Sequence, residues 1–445
     1  MSSAPASREL FSVEPLQVPS GDWARLTHYL FRYPAKFHPP VVASLLEEHS
    51  ASGQTVLDPF CGSGTLMVEA LRLGRHAVGV DVDPVAVAVS RAKVHRYRGA
   101  ALRRTAEVVL NRLKPWRRPP DEYESRQFDD LAQADFEAES ASVAPYIPEI
   151  PNLFHWFRRY VIVDLARIRE AITVVEMPET HRQFLYVVFG SIIRNASNAD
   201  PVPVSGLEVT KWMRKRDQAG RIIDPFTLFG QALSRAVPAA EDFAAATTGK
   251  LSATIRHGDI TKLGATLRKK VDLVLTSPPY HGAVDYYRRH QLEMFWLGLT
   301  VTQQDRLSLL DRYIGRPHVP ARHDWVQAPV VTALAARWER EIRQLSPNRA
   351  NEFRHYVNGM SRAIGAIART LPEGRKCLFV VGHSGWNGDE IPTTELFAEI
   401  AHRTMTLDQV LEYPIKNRYM SYKRHNGASI DTERVLVMTR RRSTP

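Results

Sequence analysis

The residues best placed to do chemistry are Thr276-Ser277-Pro278-Pro279-Tyr280, which close the apolar run Val271-Asp272-Leu273-Val274-Leu275. A short run of that kind reads as a buried strand. Two prolines end it abruptly, because proline brings no N–H to a ladder and restricts the residue before it. A hydroxyl, a rigid backbone and an aromatic ring therefore stand together at the carboxyl end of a strand. In open α/β sheets that end is where ligands bind.

A second constellation lies far upstream. The strand Thr55-Val56-Leu57 runs into Asp58-Pro59-Phe60-Cys61-Gly62-Ser63-Gly64-Thr65, and a helix with Leu66, Val68, Ala70 and Leu71 follows. The next strand, His76 to Val80, ends in Asp81 and Asp83, and Asp83-Pro84 opens another helix as N-cap and first residue. This is a βαβ unit with a nucleotide-type loop. Its glycines let backbone approach a ligand at a helix N-terminus, and an acid after the second strand can take both hydroxyls of a ribose. The loop lacks the P-loop lysine and the third glycine of the dinucleotide pattern. An adenosine without phosphates, as in S-adenosylmethionine, fits it better than NAD.

Jointly, Asp58-Pro-Phe-Cys-Gly-Ser-Gly-Thr65 and Thr276-Ser-Pro-Pro-Tyr280 resemble the S-adenosylmethionine-dependent DNA amino-methyltransferases, which methylate cytosine N4 or adenine N6. The resemblance covers roughly residues 29–97 and 252–439. It implies a Rossmann-like class I methyltransferase fold, α/β, with a mostly parallel seven-stranded sheet and a largely helical insertion. It assigns Tyr33, Lys36 and Phe37 to an aromatic segment over the methionine end of the cofactor. Asp58, Pro59, Phe60, Gly62, Gly64 and Thr65 match the cofactor loop, Asp81 the ribose-binding acid, and Asp259 the residue facing adenine. Ser277, Pro278, Pro279 and Tyr280 match the catalytic tetrapeptide. Asp81 as a plain helix cap and Asp259 as a turn acid are the simpler alternatives.

The chemistry needs these residue types. An exocyclic base amine is a poor nucleophile, because its lone pair is delocalised into the ring. The Ser277 hydroxyl and the Pro278 carbonyl can accept its two N–H bonds and favour a pyramidal nitrogen, and the prolines hold both acceptors still. Tyr280 can stack on a base that has left the duplex. Many adenine enzymes of that family have Asp or Asn at the first position, so Ser277 there makes the resemblance lean toward cytosine N4 over adenine N6. Two rival readings are an RNA methyltransferase of the tRNA guanine-N2 type and a non-catalytic nucleic-acid-binding protein with this fold.

The rest of the chain must position these groups. Three regions are expected: residues 1–97 as the aromatic segment and cofactor half, 98–250 as the helical insertion, and 251–445 as the catalytic half. The insertion is the candidate target reader, with residues 300–347 as its rival. Apolar residues from Phe184 to Ile193 give the insertion a core of its own in this reading. Lys211, Arg214, Lys215 and Arg216 surround Trp212 and Met213, a candidate nucleic-acid contact or simply a solvated face. Phe295 and Trp296 read as core.

The chain has 445 residues, with Lys+Arg 59 against Asp+Glu 48 and a formal net charge of +11. That excess suits a polyanion partner. The resemblance makes this partner double-stranded DNA with a flipped target base, with a cognate restriction endonuclease as a candidate second partner. Cys61 and Cys377 have no Cys or His neighbour at zinc spacing, so neither a metal nor a disulfide is expected, and a reducing cytoplasm fits. No signal peptide and no membrane-spanning stretch is expected.

Overall fold

The seven strands expected from the sequence lie side by side in one sheet, and an eighth joins its edge. The computed structural model describes residues 11–19, 25–201, 206–265, 271–282, 284–387, 389–415 and 431–442. The strands are β1 (Val13–Pro15), β2 (Thr55–Asp58), β3 (His76–Asp81), β4 (Ala253–His257), β5 (Leu273–Thr276) and β6 (Lys376–Val381). After a small hairpin, β7 (Ser384–Trp386) and β8 (Asp389–Ile391), come β9 (Met405–Pro414) and β10 (Thr432–Arg440). The sheet order is β1-β9-β10-β6-β5-β2-β3-β4. Among the described strands of this sheet, β10 alone runs antiparallel to its neighbours. The eighth strand, β1, escaped the sequence reading because three residues ending in proline show no alternation.

The order explains where a ligand must go. From β2 the chain moves outward to β3 and β4, then returns to the other flank of β2 as β5. Val56 pairs with Leu273 and Leu57 with Val274. The carboxyl ends of β2 and β5 thus meet at the point where the order reverses, the crevice in which such sheets bind ligands.

Both faces of the sheet are covered, so its central strands are apolar throughout. On one face Val56, Leu273 and Leu275 pack on Val41, Val42 and Leu45 of α1 (Pro39–His49) and on Leu66 and Met67 of α2 (Thr65–Arg72). On the other, Leu57, Val274 and Phe379 pack on Phe353, Met360 and Ile364 of the helix Pro347–Thr370. Fully burying one such side chain contributes about 1.5–3 kcal/mol.

The insertion is helical, but its core is not its own. Phe184, Leu185, Val188, Phe189, Ile192 and Ile193 on the helix Glu179–Ala196 pack with Val85 and Val89 of α3 (Pro84–Val94) and with Phe295 and Trp296. The aromatic stretch after the tetrapeptide forms two short helices, Tyr286–Arg289 and Gln291–Trp296. Trp296 lies edge-on to Phe157 and Phe189, so Phe295 and Trp296 are core residues, as expected. The arginine-rich stretch from Arg96 to Arg118 is also structured. Leu102, Ala106, Val109 and Leu113 form the buried stripe of α4 (Gly99–Leu113). Several of its arginines are spent within the insertion: Arg103 pairs with Glu241, Arg112 with Glu170, Arg117 with Asp224, and Arg118 with Glu122 and Asp164.

Candidate active site

One cavity at the switch point gathers most of the residues singled out above. Its walls include Tyr33, Lys36 and Phe37, the loop from Asp58 to Ser63 with Thr65, then Asp81 and Ser277 to Tyr280. Gly64 does not line it but shapes it. Gly64 is the N-cap of α2, with φ +77°, and a Cβ there would sit 2.7 Å from Ser90 Oγ. Ser90 Oγ in turn donates to the Gly62 carbonyl at 2.7 Å. The loop is therefore clamped onto α3 through a contact only glycine permits.

The acids are held by the backbone. Asp81 accepts the Gly62 N–H at 2.8 Å on Oδ2 and the Asp83 N–H at 2.9 Å on Oδ1. Burial, with Asp83 beside it, raises its pKa to about 7. Asp58 accepts the Thr276 hydroxyl at 2.7 Å and the Phe60 N–H at 3.1 Å, yet burial still raises it to about 7. Asp83 caps α3 through Val85 N–H at 2.8 Å and bonds His290 Nδ1 at 2.6 Å. Asp259 is not on the cavity wall, where Gly258 and Ile260 stand instead. Its carboxylate binds Thr261 N and Oγ1, both at 2.8 Å, and closes the turn after β4.

An aromatic cover lies over this corner. Tyr33 stacks on Tyr286, with ring centroids 5.7 Å apart and 23° between planes, and touches the His290 ring at 4.9 Å. Lys36 donates to the His28 carbonyl at 3.2 Å and lies 3.8 Å from the Tyr29 ring centroid. Burial lowers its pKa to about 8. Tyr286 and the segment Arg312-Tyr313-Ile314 also line the cavity. Part of the stretch 300–347 therefore faces the ligand crevice. The Tyr286-Tyr287 pair was visible in the sequence, but nothing in its own stretch marked Tyr313.

The tetrapeptide reaches across to the far strands. Tyr280 Oη donates to Glu433 Oε1 at 2.8 Å and lies 3.4 Å from Ser277 Oγ. Glu433 Oε2 accepts from Tyr413 Oη, its cross-strand partner on β9. Sequence reasoning missed Glu433, since no local pattern links residues 153 positions apart.

Lys211, Arg214, Lys215 and Arg216 lie outside the cavity, exposed on the helix Lys211–Gln218. The Arg216 guanidinium lies 4.9 Å from the exposed Trp212 ring. The segment leading into this helix abuts the element after the tetrapeptide: Arg288 donates to the Leu207 carbonyl at 3.3 Å.

The cavity fits S-adenosylmethionine. Each Asp81 oxygen uses one acceptor site on a backbone N–H, which leaves capacity for two ribose hydroxyls. Thr65 Oγ1 is buried on the wall without a hydrogen-bond partner among the described residues, an orphan that calls for a ligand. Lys36 offers a cation to a carboxylate. Among the described residues, no group of acidic, His or Cys side chains could hold a metal, and no helix is long and apolar enough to cross a membrane.

Fold and site together have the Rossmann-like architecture that the resemblance to methyltransferases implies. Residues 14–91 match a protein-family model described as DNA methylase. The chain is similar to the Type II methyltransferase M.MjaII of Methanocaldococcus jannaschii, 31% identical over 20% of this chain and 16% of that protein. It is also similar to the Type II methyltransferase M.MvaI of Kocuria varians, 23% identical over 64% of this chain and 61% of that protein. With the Type II methyltransferase M.BsoBI of Geobacillus stearothermophilus it shares 23% identity over 84% and 77%. The first two matches thus span less than two thirds of those proteins' own lengths. The resemblance to the DNA amino-methyltransferases holds, with S-adenosylmethionine as the implied methyl donor.

Proposed function

We propose that the protein methylates an exocyclic amine of a DNA base, with cytosine N4 preferred over adenine N6. The observation that carries this reading is the shared cavity: the Gly loop and Asp81 of one strand pair and Ser277 to Tyr280 of the next strand line the same crevice. When bound, S-adenosylmethionine supplies an electrophilic methyl group. The protein's part is to seat the acceptor amine against it.

Ser277 Oγ and the Pro278 carbonyl accept the amine's N–H bonds and hold its lone pair away from the ring. The prolines fix these acceptors before the base arrives, so little reorganisation is left for the reaction. Tyr280 presents its ring to the flipped base, and the Glu433 hydrogen bond fixes that ring's tilt. Tyr33 and Tyr286 exclude water from the opposite side. The exposed cations on Lys211–Gln218 contact backbone phosphates and keep the duplex in register.

Incubation with methyl-labelled S-adenosylmethionine and either DNA or tRNA tests this reading. Label is expected in DNA, and base-resolution sequencing should place it on cytosine. Label confined to tRNA would replace this reading with the RNA one.

A further inference from the structure

The acceptor nitrogen gains a methyl group and must then lose a proton. Its lone pair makes the new N–C bond, and the pair of the broken S–C bond stays on the departing sulfur. The nitrogen is left with a positive charge and one hydrogen too many. Nothing in the tetrapeptide can keep that hydrogen: Ser277 and Tyr280 are hydroxyls, and the prolines offer only carbonyls.

We propose that Ser277, Tyr280 and Glu433 form a proton path leading from the methylated amine to the start of β10. This rests on the amine-methylation reading above. The hydrogen bonds run in one direction. Tyr280 Oη donates to Glu433 Oε1 at 2.8 Å, so its lone pairs face Ser277 Oγ, 3.4 Å away. Ser277 can donate along that line and accept from the amine. The longer step is of the kind that tightens once substrate is seated. Tyr413 Oη donates to the other Glu433 oxygen and holds the carboxylate still. The amine proton passes to Ser277 Oγ as the Ser277 hydrogen moves to Tyr280 Oη and the Tyr280 hydrogen to Glu433. The products are a neutral methylated amine and a Glu433 carboxylic acid. Glu433 is only partly buried and can return the proton to water. Rotation of the two hydroxyls resets the path.

This makes Tyr280 more than a stacking platform and gives Glu433 a chemical task. Tyr280→Phe keeps the ring and cuts the path. Glu433→Gln keeps an acceptor for Tyr280 Oη and a donor toward Tyr413 but cannot take the proton. Each should lower single-turnover methyl transfer on the order of 100-fold, the scale of a lost general base. Each should also change the solvent deuterium isotope effect. The fluorescence of 2-aminopurine at the target position, read without cofactor, should match wild type in Glu433→Gln, which keeps the acceptor for Tyr280 Oη, showing that flipping and stacking survive. The double variant should be no slower than the slower single one, because both changes break one path. Wild-type rates in either single variant, an unchanged isotope effect, or multiplying losses in the double variant would overturn the proposal. A wild-type protein that does not methylate DNA would instead remove the parent reading, and the path with it.

Discussion

Thr276 Oγ1 donates to Asp58 Oδ1 across 2.7 Å, and both groups are buried. The last residue of β5 is thereby bonded to the last residue of β2. One bond thus locks the strand that carries the tetrapeptide to the strand that carries the cofactor loop. Asp58 also lines the cavity, and without this bond its carboxyl would lose a donor in a site already unfavourable for charge. Thr276→Val should therefore destabilise the fold by about 1–3 kcal/mol, the cost of a buried polar group losing its partner. Thr276→Ser should recover most of the loss. The urea midpoint of unfolding measures both.

Gly64→Ala tests the loop. The left-handed conformation costs a side chain about 1–2 kcal/mol, and the new Cβ would meet Ser90 Oγ at 2.7 Å. Cofactor affinity should fall about 5–30-fold if that energy is taken from binding. Calorimetric titration with S-adenosylhomocysteine reads it directly. Ser90→Ala should not rescue the variant, because the Ser90 Cα also lies 3.1 Å from that Cβ.

Cofactor affinity should depend on pH with two limbs. Ribose hydroxyls donate most strongly to an ionised Asp81, and its pKa is raised to about 7, so binding weakens as pH falls through 7. The Lys36 ammonium favours a carboxylate, and its pKa is lowered to about 8, so binding weakens as pH rises through 8. The optimum should lie between these values. Asp81→Asn should flatten the acid limb and Lys36→Met the alkaline one, each visible in dissociation constants measured from pH 6 to 9.

The same Asp81 shift has a consequence for folding. A carboxyl whose pKa rises from its ordinary value of 3.8 to about 7 on folding makes the native state bind the extra proton. Stability should fall as pH rises through that window. In the absence of cofactor, the urea midpoint of Asp81→Asn should therefore change less between pH 5 and pH 8 than that of wild type.

The sequence spoke most clearly where the chain is buried on both sides. Val56-Leu57 and Leu273 to Leu275 are apolar without alternation because helices cover both faces of β2 and β5, and the prolines after each strand mark where it stops. The first helix of the insertion was harder to see. Its buried stripe, Leu102, Ala106, Val109 and Leu113, has helical spacing, but arginines between these positions drew attention to charge. The helix Pro225–Ala246 buries Phe226, Phe229, Leu233, Val237 and Phe243 on one face, but Pro238 inside it reads as a break. The turn contact of Asp259 was legible only as an alternative: the acid, two residues before Thr261, binds the turn's own N–H and hydroxyl. Glu433 and Tyr313 reach the site only through the sheet and loop topology.

The exposed basic helix carries its own prediction. Replacing Lys211, Arg214 and Lys215 by glutamine should weaken DNA binding and make the slope of log affinity against log salt shallower by about 0.9 for each phosphate left unneutralised. Affinity for S-adenosylhomocysteine should not change, since these side chains lie outside the cavity. Fluorescence anisotropy at several salt concentrations separates the two effects.

The most direct test of DNA amine methylation is the chemical form of the transferred methyl group. DNA treated with the protein and methyl-labelled S-adenosylmethionine should be digested to nucleosides and resolved by mass spectrometry. Labelled N4-methylcytosine is the expected product. Labelled N6-methyladenine would keep the amine acceptor but overturn the preference drawn from Ser277. Unlabelled DNA beside labelled tRNA would contradict the DNA reading itself.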